Sequence, residues 1–250
     1  MSREGVDAVA AASVPAPPKV QRWGIPDALV GWVVVYLGSI VWGVIVIVGT
    51  GHGGEEFDEL PLGIVALAQL GLALGFFLVP WAVTKVKGNG IVADLGLRAR
   101  WEDLWKGGLA GIATQLVLIP LLYWPLFEVL DKGVDDLEGP AQALTDRANG
   151  PVDVFLLVLI VGVMAAVFEE IFYRGLLQRA LLKRGLHPVL AIGTTSVLFG
   201  ATHFQLLQLP GLVVAGVVFG TLAYRADRLG PAIAAHLTFN MVTVIALLAA

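Results

Sequence analysis

The residues best suited to chemistry are Glu169 and Glu170, which close a run of 15 uncharged residues, and Arg174, four positions after Glu170. A charge within hydrocarbon costs about 2.5–3.5 kcal/mol on insertion scales, so such residues usually face a bundle interior and serve a function. Successive helical positions differ by about 100°, so the two glutamates point to different faces. Glu170 can pair with Arg174, which leaves Glu169 as the predicted free carboxylate. Alternatively, the three charges form an interfacial cluster that only ends a membrane span.

Two histidines and an asparagine add polar groups to hydrophobic segments nearer the C-terminus. Phe199 and His203 are four residues apart, as are His236 and Asn240, so each pair shares one helical face. A single histidine within a membrane is more often a hydrogen-bonded packing residue than a catalytic one. Polar groups on three such segments are harder to explain in that way, because each needs a partner away from lipid.

This set of side chains could hydrolyse a peptide bond. A glutamate beside a histidine can deprotonate water, while a histidine and an asparagine amide can donate hydrogen bonds to an oxyanion. Glu169, His203 and His236 could instead ligate one Zn²⁺ with water in an open position. The His-Glu-x-x-His signature of common zinc proteases is absent, so the sequence leaves open whether the site holds Zn²⁺ or no metal.

The three motifs together resemble those of the CAAX prenyl endopeptidase and bacteriocin-processing family (CPBP, also called Abi) of intramembrane proteases. They occur in the family's order as Glu169-Glu170-x-x-x-Arg174, Phe199-x-x-x-His203 and His236-x-x-x-Asn240, within residues 154–240. The resemblance implies that Glu169, helped by His203, is the general base that activates water. It further implies that His236 and Asn240 stabilise the oxyanion. Glu170, Arg174 and Phe199 would support the site.

The elements that must position these residues are membrane-spanning helices. With 57% hydrophobic and 14% charged residues, the composition lies outside the range of soluble domains and indicates a polytopic membrane protein. The absence of cysteine excludes disulfides and a cysteine nucleophile, and no basic stripe suggests nucleic acid. The pattern predicts an all-α bundle of about seven spans, with a range of six to eight. We expect the first three spans at residues 28–48, 62–84 and 107–127, and the fourth from residue 154 onward. The fifth is expected at residues 188–204, the sixth between a turn at Leu209-Pro210-Gly211 and residue 224, and the seventh at residues 231–250.

The chain divides into a short tail and one membrane domain. Residues 1–22 mix Ala, Ser, Pro and scattered charges, which predicts a disordered tail. Residues 23–250 then form a single transmembrane protease domain with its core motifs in 154–240. If the N-terminus is cytoplasmic, 14 of the 16 Lys and Arg residues lie in cytoplasmic segments, and only Lys132 and Arg147 do not. Cytoplasmic segments are usually enriched in these residues. We therefore predict an integral protein of the plasma membrane with a cytoplasmic N-terminus and an external C-terminus.

Depth within the membrane constrains the fourth span. His203 lies 15 residues after the start of its predicted span, or about 22 Å at 1.5 Å per residue. Glu169 could not reach that depth if its helix ended at Arg174. We therefore expect the fourth helix to continue to about Leu182, and we expect a water-accessible cavity that opens on the cytoplasmic side.

The function predicted from the sequence is a CAAX-protease-like intramembrane endopeptidase. Its expected partners are the lipid bilayer and a peptide or the C-terminus of a protein, and no nucleic acid. A non-catalytic membrane protein that binds peptides, such as an immunity protein, is one alternative. A small proton-coupled transporter is another, because an intramembrane glutamate and histidine suit that role equally well, although the sequence lacks the two-fold hydropathy repeats that would favour a carrier.

Overall fold

The computed structural model describes residues 19–249, which form helices and no strand. The predicted all-α architecture is confirmed. Most of the predicted tail, residues 1–18, lies outside the described part, whereas residues 19–24 are irregular. The helices are α1 (Ile25–Gly49), α2 (Leu62–Lys87), α3 (Ile91–Leu95), α4 (Trp101–Leu130), α5 (Val134–Thr145), α6 (Pro151–Lys183), α7 (Pro188–Ala201), α8 (Leu209–Ala226) and α9 (Gly230–Ala249).

Six of these described helices, namely α1, α2, α4, α6, α8 and α9, are long and apolar enough to cross a membrane. Together with α7, an apolar helix of only 14 residues, they account for the seven predicted spans. The chain is an integral membrane protein. When α7 is counted with the long helices, successive helices alternate in direction, so the connecting segments 88–100, 184–187 and 227–229 meet at one end, here named the basic end. There the Leu229 N–H donates to the Gly96 carbonyl. Segments 50–61, 131–150 and 202–208 meet at the other, the acidic end.

Helix α6 carries both glutamates through the middle of the bundle. It continues nine residues past Arg174 to Lys183, which confirms the predicted extension beyond the arginine. Much of it is wound as a π-helix, over Val158–Glu169 and again over Ile171–Gln178. Wider π turns are rare in proteins and occur mostly at functional sites. Glu170 and Arg174 still contact each other across this winding.

Three local predictions are wrong. The predicted fifth span ends at Ala201, so His203 lies in the turn beyond α7 and not within a helix. Leu209-Pro210-Gly211 begins α8 instead of forming a turn, because proline in the first helical turn lacks only an N–H that would have no partner there. The acidic segment 131–150, which joins the third and fourth predicted spans and which its proline, glycines and acidic residues predict to be a loop, contains α5. The Asp136 carboxylate caps that helix by accepting the Gly133 N–H at 2.9 Å.

Close packing of α6 against α8 depends on two glycines. Arg174 Nη2 donates to the Gly216 carbonyl at 3.2 Å, and one turn further on Gln178 Nε2 donates to the Gly220 carbonyl at 3.0 Å. A Cβ at Gly220 would lie 2.7 Å from Gln178 Oε1, and a Cβ at Gly216 would lie 2.9 Å from Ser196 Cβ in α7; both are too close. The missing side chains therefore let α8 pack closely against α6 and α7, so that two polar groups of α6 reach its backbone.

Candidate active site

Glu170 and Arg174 form a fully buried ion pair. Arg174 Nη1 donates to Glu170 Oε1 at 2.7 Å, and both side chains have no exposed surface. The guanidinium also lies over the rings of Phe199 and Phe219, at 4.6 and 5.6 Å from their centroids. Aromatic faces attract cations, so the rings help to hold a charge that has no contact with water. The pairing predicted from the four-residue spacing is confirmed.

His236 lies between the two glutamates. Its Nδ1 is 3.0 Å from Glu170 Oε1, and its Nε2 is 4.0 Å from Glu169 Oε2. A carboxylate that is paired with a guanidinium can only accept hydrogen bonds, so Nδ1 carries the proton and the Nε2 lone pair faces Glu169. The imidazole stacks on Phe219 with a centroid separation of 4.8 Å and an interplanar angle of 20°. Its orientation is therefore fixed from two sides.

Glu169 is the unpaired member of the cluster. Its Oε2 is buried and has no hydrogen-bond partner in the described part of the chain, while the side chain keeps 15% of its surface exposed. Because Glu170 and Arg174 cancel each other's charge, the Glu169 carboxylate is the member of the cluster whose charge no ion pair compensates, which is costly away from water.

His203 and Asn240 contribute to the same region from other elements. His203 Nδ1 lies 2.8 Å from the Phe199 carbonyl, which can only accept, so the Nε2 of the neutral ring is a free acceptor. Asn240 Nδ2 donates one hydrogen to the Val161 carbonyl in α6 at 2.7 Å and keeps a second one. The structure therefore brings His236, and not His203, into direct contact with the glutamates.

A cavity of about 900 Å³ connects these side chains. Glu169, His203, His236 and Asn240 all line it, together with largely apolar residues of α4, α5 and α9 such as Trp124, Phe127, Leu137, Leu144 and Leu247. The lining includes α5 at the acidic end and no residue of the segments that connect helices at the basic end. The cavity thus extends towards the acidic loops, and the expected opening on the side of the basic loops is wrong. Which membrane face this is stays a prediction.

The side chains as arranged do not fit a zinc site. Within residues 19–249, no group of three His, Asp or Glu side chains converges in a way that could hold a metal ion. The sequence allows Glu169, His203 and His236 as ligands. Of these, Glu169 and His236 lie 4.0 Å apart, and His236 Nδ1 is already bound to Glu170. The chemistry available at this site is therefore that of the protein's own acids, bases and hydrogen-bond donors.

Sequence reasoning missed several residues that complete the site. Tyr173 follows Glu169 by one turn, and its hydroxyl contacts Thr202, the neighbour of His203 in the chain. Both could have been found from their positions beside the motifs. Phe219 and Tyr36 gave no signal, because nothing in the residues around them indicates that α8 and α1 approach the glutamates.

Comparison with known proteins supports the resemblance seen in the motifs. Residues 151–242 match the family model described as Rce1-like, type II CAAX prenyl endopeptidase Rce1-like. Comparison with curated proteins and with solved structures gives no match. The matched segment holds all three motifs, whereas α1, α2 and α4 lie outside it. Residues 151–242, which carry the candidate active site, are thus similar to the Rce1-like family of type II CAAX prenyl endopeptidases.

Proposed function

We propose that this protein is an intramembrane endopeptidase in which Glu169 activates water to hydrolyse a peptide bond. The position of His236 carries the proposal, because one of its nitrogens contacts Glu170 at 3.0 Å while the other faces Glu169 at 4.0 Å. A histidine that is oriented by one carboxylate and aimed at a second reactive group is a recurrent arrangement in hydrolases. The family match supports a protease at the coarser level.

Glu169 acts as the general base in this proposal. Its unpartnered carboxylate takes a proton from water as the water oxygen bonds to the carbonyl carbon of the substrate. When the tetrahedral intermediate collapses, the carbon–nitrogen bond breaks and the same proton passes to the leaving amine. His236 shares that proton with Glu169, and Glu170 holds the imidazole in position through Nδ1. The products are a carboxylic acid and an amine.

The remaining side chains have complementary roles. The second amide hydrogen of Asn240 and, when Nε2 is protonated, His236 donate to the oxyanion of the intermediate. His203 presents a free Nε2 acceptor, which suits it to hold the attacking water, because its Nδ1 is fixed on the Phe199 carbonyl. Arg174 compensates the charge of Glu170 from the side that faces away from the cavity lining.

The shape of the cavity favours an apolar substrate. A volume of about 900 Å³ is at the upper end of the usual range for small-ligand sites, and side chains such as Trp124, Phe127 and Leu247 line it. We propose a peptide with an apolar segment near the scissile bond. Farnesylated Cys-a-a-X peptides are one such class, and unmodified hydrophobic peptides are another.

The test is the cleavage of a membrane-peptide library by the purified protein in detergent. The library contains farnesylated and unmodified Cys-a-a-X peptides, and products are identified by mass spectrometry. We expect Glu169→Gln to lower kcat about 100- to 10,000-fold, the range typical of a lost general base. The matched control is Glu128→Gln, which changes an exposed glutamate near the end of α4 that does not line the cavity. This control keeps the wild-type rate.

A strong chelator is added to each assay. Cleavage that requires Glu169 and tolerates the chelator supports the glutamate-dependent mechanism, whereas loss with chelator would show that a metal takes part and overturn that mechanism. If the wild-type protein binds peptides but cleaves none, the proposal fails in favour of a non-catalytic binding protein.

A further inference from the structure

A row of hydroxyl groups runs from α1 to the turn that holds His203. The Tyr36 hydroxyl lies 3.2 Å from the Tyr173 hydroxyl, which lies 2.9 Å from Thr202 Oγ1. Thr202 Oγ1 is in turn 2.8 Å from the Phe199 carbonyl. Tyr36, Tyr173 and Thr202 all line the cavity that contains Glu169. The row therefore borders the place where a substrate would bind.

The chemistry of the last member fixes the direction of every hydrogen bond in this row. A backbone carbonyl only accepts, so Thr202 uses its one hydroxyl hydrogen to donate to Phe199. Tyr173 must then donate to Thr202, which leaves its oxygen to accept from Tyr36. The hydrogens of all three hydroxyls are thereby committed. At the open end of the row, the Tyr36 oxygen is an acceptor that has no hydrogen left to donate.

Because of its position, the Tyr36 oxygen can accept a hydrogen bond from a bound peptide. Tyr36 and Glu169 line the same cavity, and Tyr173, whose hydroxyl contacts that of Tyr36, follows Glu169 by one turn of α6. A peptide cleaved beside Glu169 therefore passes Tyr36 within a few residues of its scissile bond, at about 3.3 Å per residue. A peptide backbone offers one N–H per residue as a donor. Tyr36 belongs to α1, which lies outside the segment that matches the family.

We infer that Tyr36 is a further substrate-contacting residue, whose oxygen accepts a backbone N–H of the bound peptide near the scissile bond. The inference rests on the proposed function for the identity of the substrate. It makes the site selective for an amide donor at one position of the peptide. The Tyr173–Thr202–Phe199 row sets that selectivity because it holds the Tyr36 hydrogen away from the cavity.

The test replaces amides of the substrate by esters, one position at a time, in the peptide that the wild-type protein cleaves fastest. An ester has oxygen in place of the N–H and so lacks the donor. At one position within three residues of the scissile bond, we expect the ester to lower kcat/KM about fivefold, mainly through KM, which is the size of one ordinary hydrogen bond. Tyr36→Phe removes this preference and leaves the other positions unaffected.

Changing Thr202 tests the direction of the row without touching Tyr36. In Thr202→Val, Tyr173 loses its acceptor and turns its hydrogen to the Tyr36 oxygen, so Tyr36 points its own hydrogen into the cavity. The amide preference at that position is then lost, although the tyrosine is intact. Thr202→Ser keeps the hydroxyl and retains the preference. Tyr224→Phe, which changes a tyrosine outside the cavity, keeps wild-type behaviour at every position.

Failure of this inference can be distinguished from failure of the proposed function. Cleavage with no Tyr36-dependent position, or with a preference that survives Thr202→Val, overturns the inference and leaves the protease intact. If the wild-type protein cleaves no peptide, the proposed function fails. The amide and ester forms of the library peptide that binds most tightly are then compared by fluorescence anisotropy. Binding that shows the Tyr36-dependent preference upholds the inference, and its absence, or no binding at all, overturns it.

Discussion

The buried arginine–carboxylate cluster at the candidate site and the one at the basic end differ in how completely their atoms are paired. At the basic end, Arg228 donates two hydrogen bonds to the Asp103 carboxylate, from Nε at 2.9 Å and from Nη2 at 2.6 Å. Asp103 also accepts the Arg100 N–H at 2.8 Å. At the candidate site, within the described residues, Glu169 Oε2, Glu170 Oε2 and Arg174 Nε are buried without partners.

The difference separates a structural cluster from a functional one. A buried polar atom without a partner costs about 1–3 kcal/mol, so a cluster that served stability alone would pair its atoms as Arg228 and Asp103 do. Of the three residues with unpaired atoms, Glu169 lines the cavity of about 900 Å³, whereas Glu170 and Arg174 lie behind it. Under the proposed function, the free hydrogen-bonding capacity of Glu169 serves water and the peptide at the expense of stability.

The largest expected effect comes from breaking the buried pair. Arg174→Met leaves the charge of Glu170 uncompensated, although the Glu170 side chain has no exposed surface. We therefore expect a loss of about 3–5 kcal/mol in the free energy of unfolding. The double variant Glu170→Gln with Arg174→Met removes both charges and should recover most of that loss. Chemical denaturation in detergent measures both. Equal losses in the single and double variants would show that the pair is not desolvated as the structure indicates.

A smaller effect is expected at the basic end. Arg228→Gln leaves the Asp103 carboxylate, which is 3% exposed, without its charged partner. Hydrogen bonds to charged groups contribute about 1.5–3 kcal/mol, so the loss should fall at or below that range, because the Arg228 side chain is 17% exposed and partly screened by water. The rate of peptide cleavage at a temperature where the variant is folded should stay within about twofold of wild type. A large loss of activity would remove the distinction between the clusters.

The approach of α8 to the site gives the third prediction. In Gly216→Ala the new Cβ would lie 2.9 Å from Ser196 Cβ and would push away the backbone that accepts Arg174 Nη2. Overpacking of this kind costs about 1–3 kcal/mol. The control is Gly193→Ala in α7, where a Cβ meets nothing within 4 Å. That change should stabilise the protein by about 0.5–1 kcal/mol, because alanine is the better helix former. The measurement is the thermal unfolding temperature of each variant. The prediction is contradicted if both temperatures shift in the same direction.

The sequence predicted those parts of the site that lie within a single helix. The four-residue spacing of Glu170 and Arg174 led directly to their ion pair, and the depth argument led to the extension of α6. Hydropathy likewise located the ends of the long helices to within six residues. These predictions succeeded because periodicity and length act locally along the chain.

Contacts between distant segments could not be predicted in the same way. The contacts of His236 with both glutamates did not follow from the sequence, since the tilt and rotation of α9 are set by its neighbours. Tyr36 reaches Tyr173 across 137 positions of the chain. The helix α5 was missed because Gly139 and Pro140 interrupt its sequence, although capping by Asp136 offsets their effect.

The smallest effect is expected at a third ion pair, which is exposed. Lys132 Nζ lies 2.9 Å from Asp136 Oδ1 at the start of α5, which lines the cavity. The hydrogen bond from Lys132, followed by the one from the Gly133 N–H, lowers the pKa of Asp136 below its ordinary value of 3.8. A lowered pKa stabilises the start of α5 above pH 3.8, and this contribution disappears as the pH falls through the lower pKa of Asp136 in the folded protein.

Hydrogen exchange, corrected for intrinsic rates, should therefore show reduced protection of the first amides of α5 in acid. Asp136→Asn should show reduced protection at neutral pH with no further change in acid. Because water and salt screen this pair, high salt should also weaken the acid effect, whereas the buried pair of Glu170 and Arg174 should be insensitive to salt.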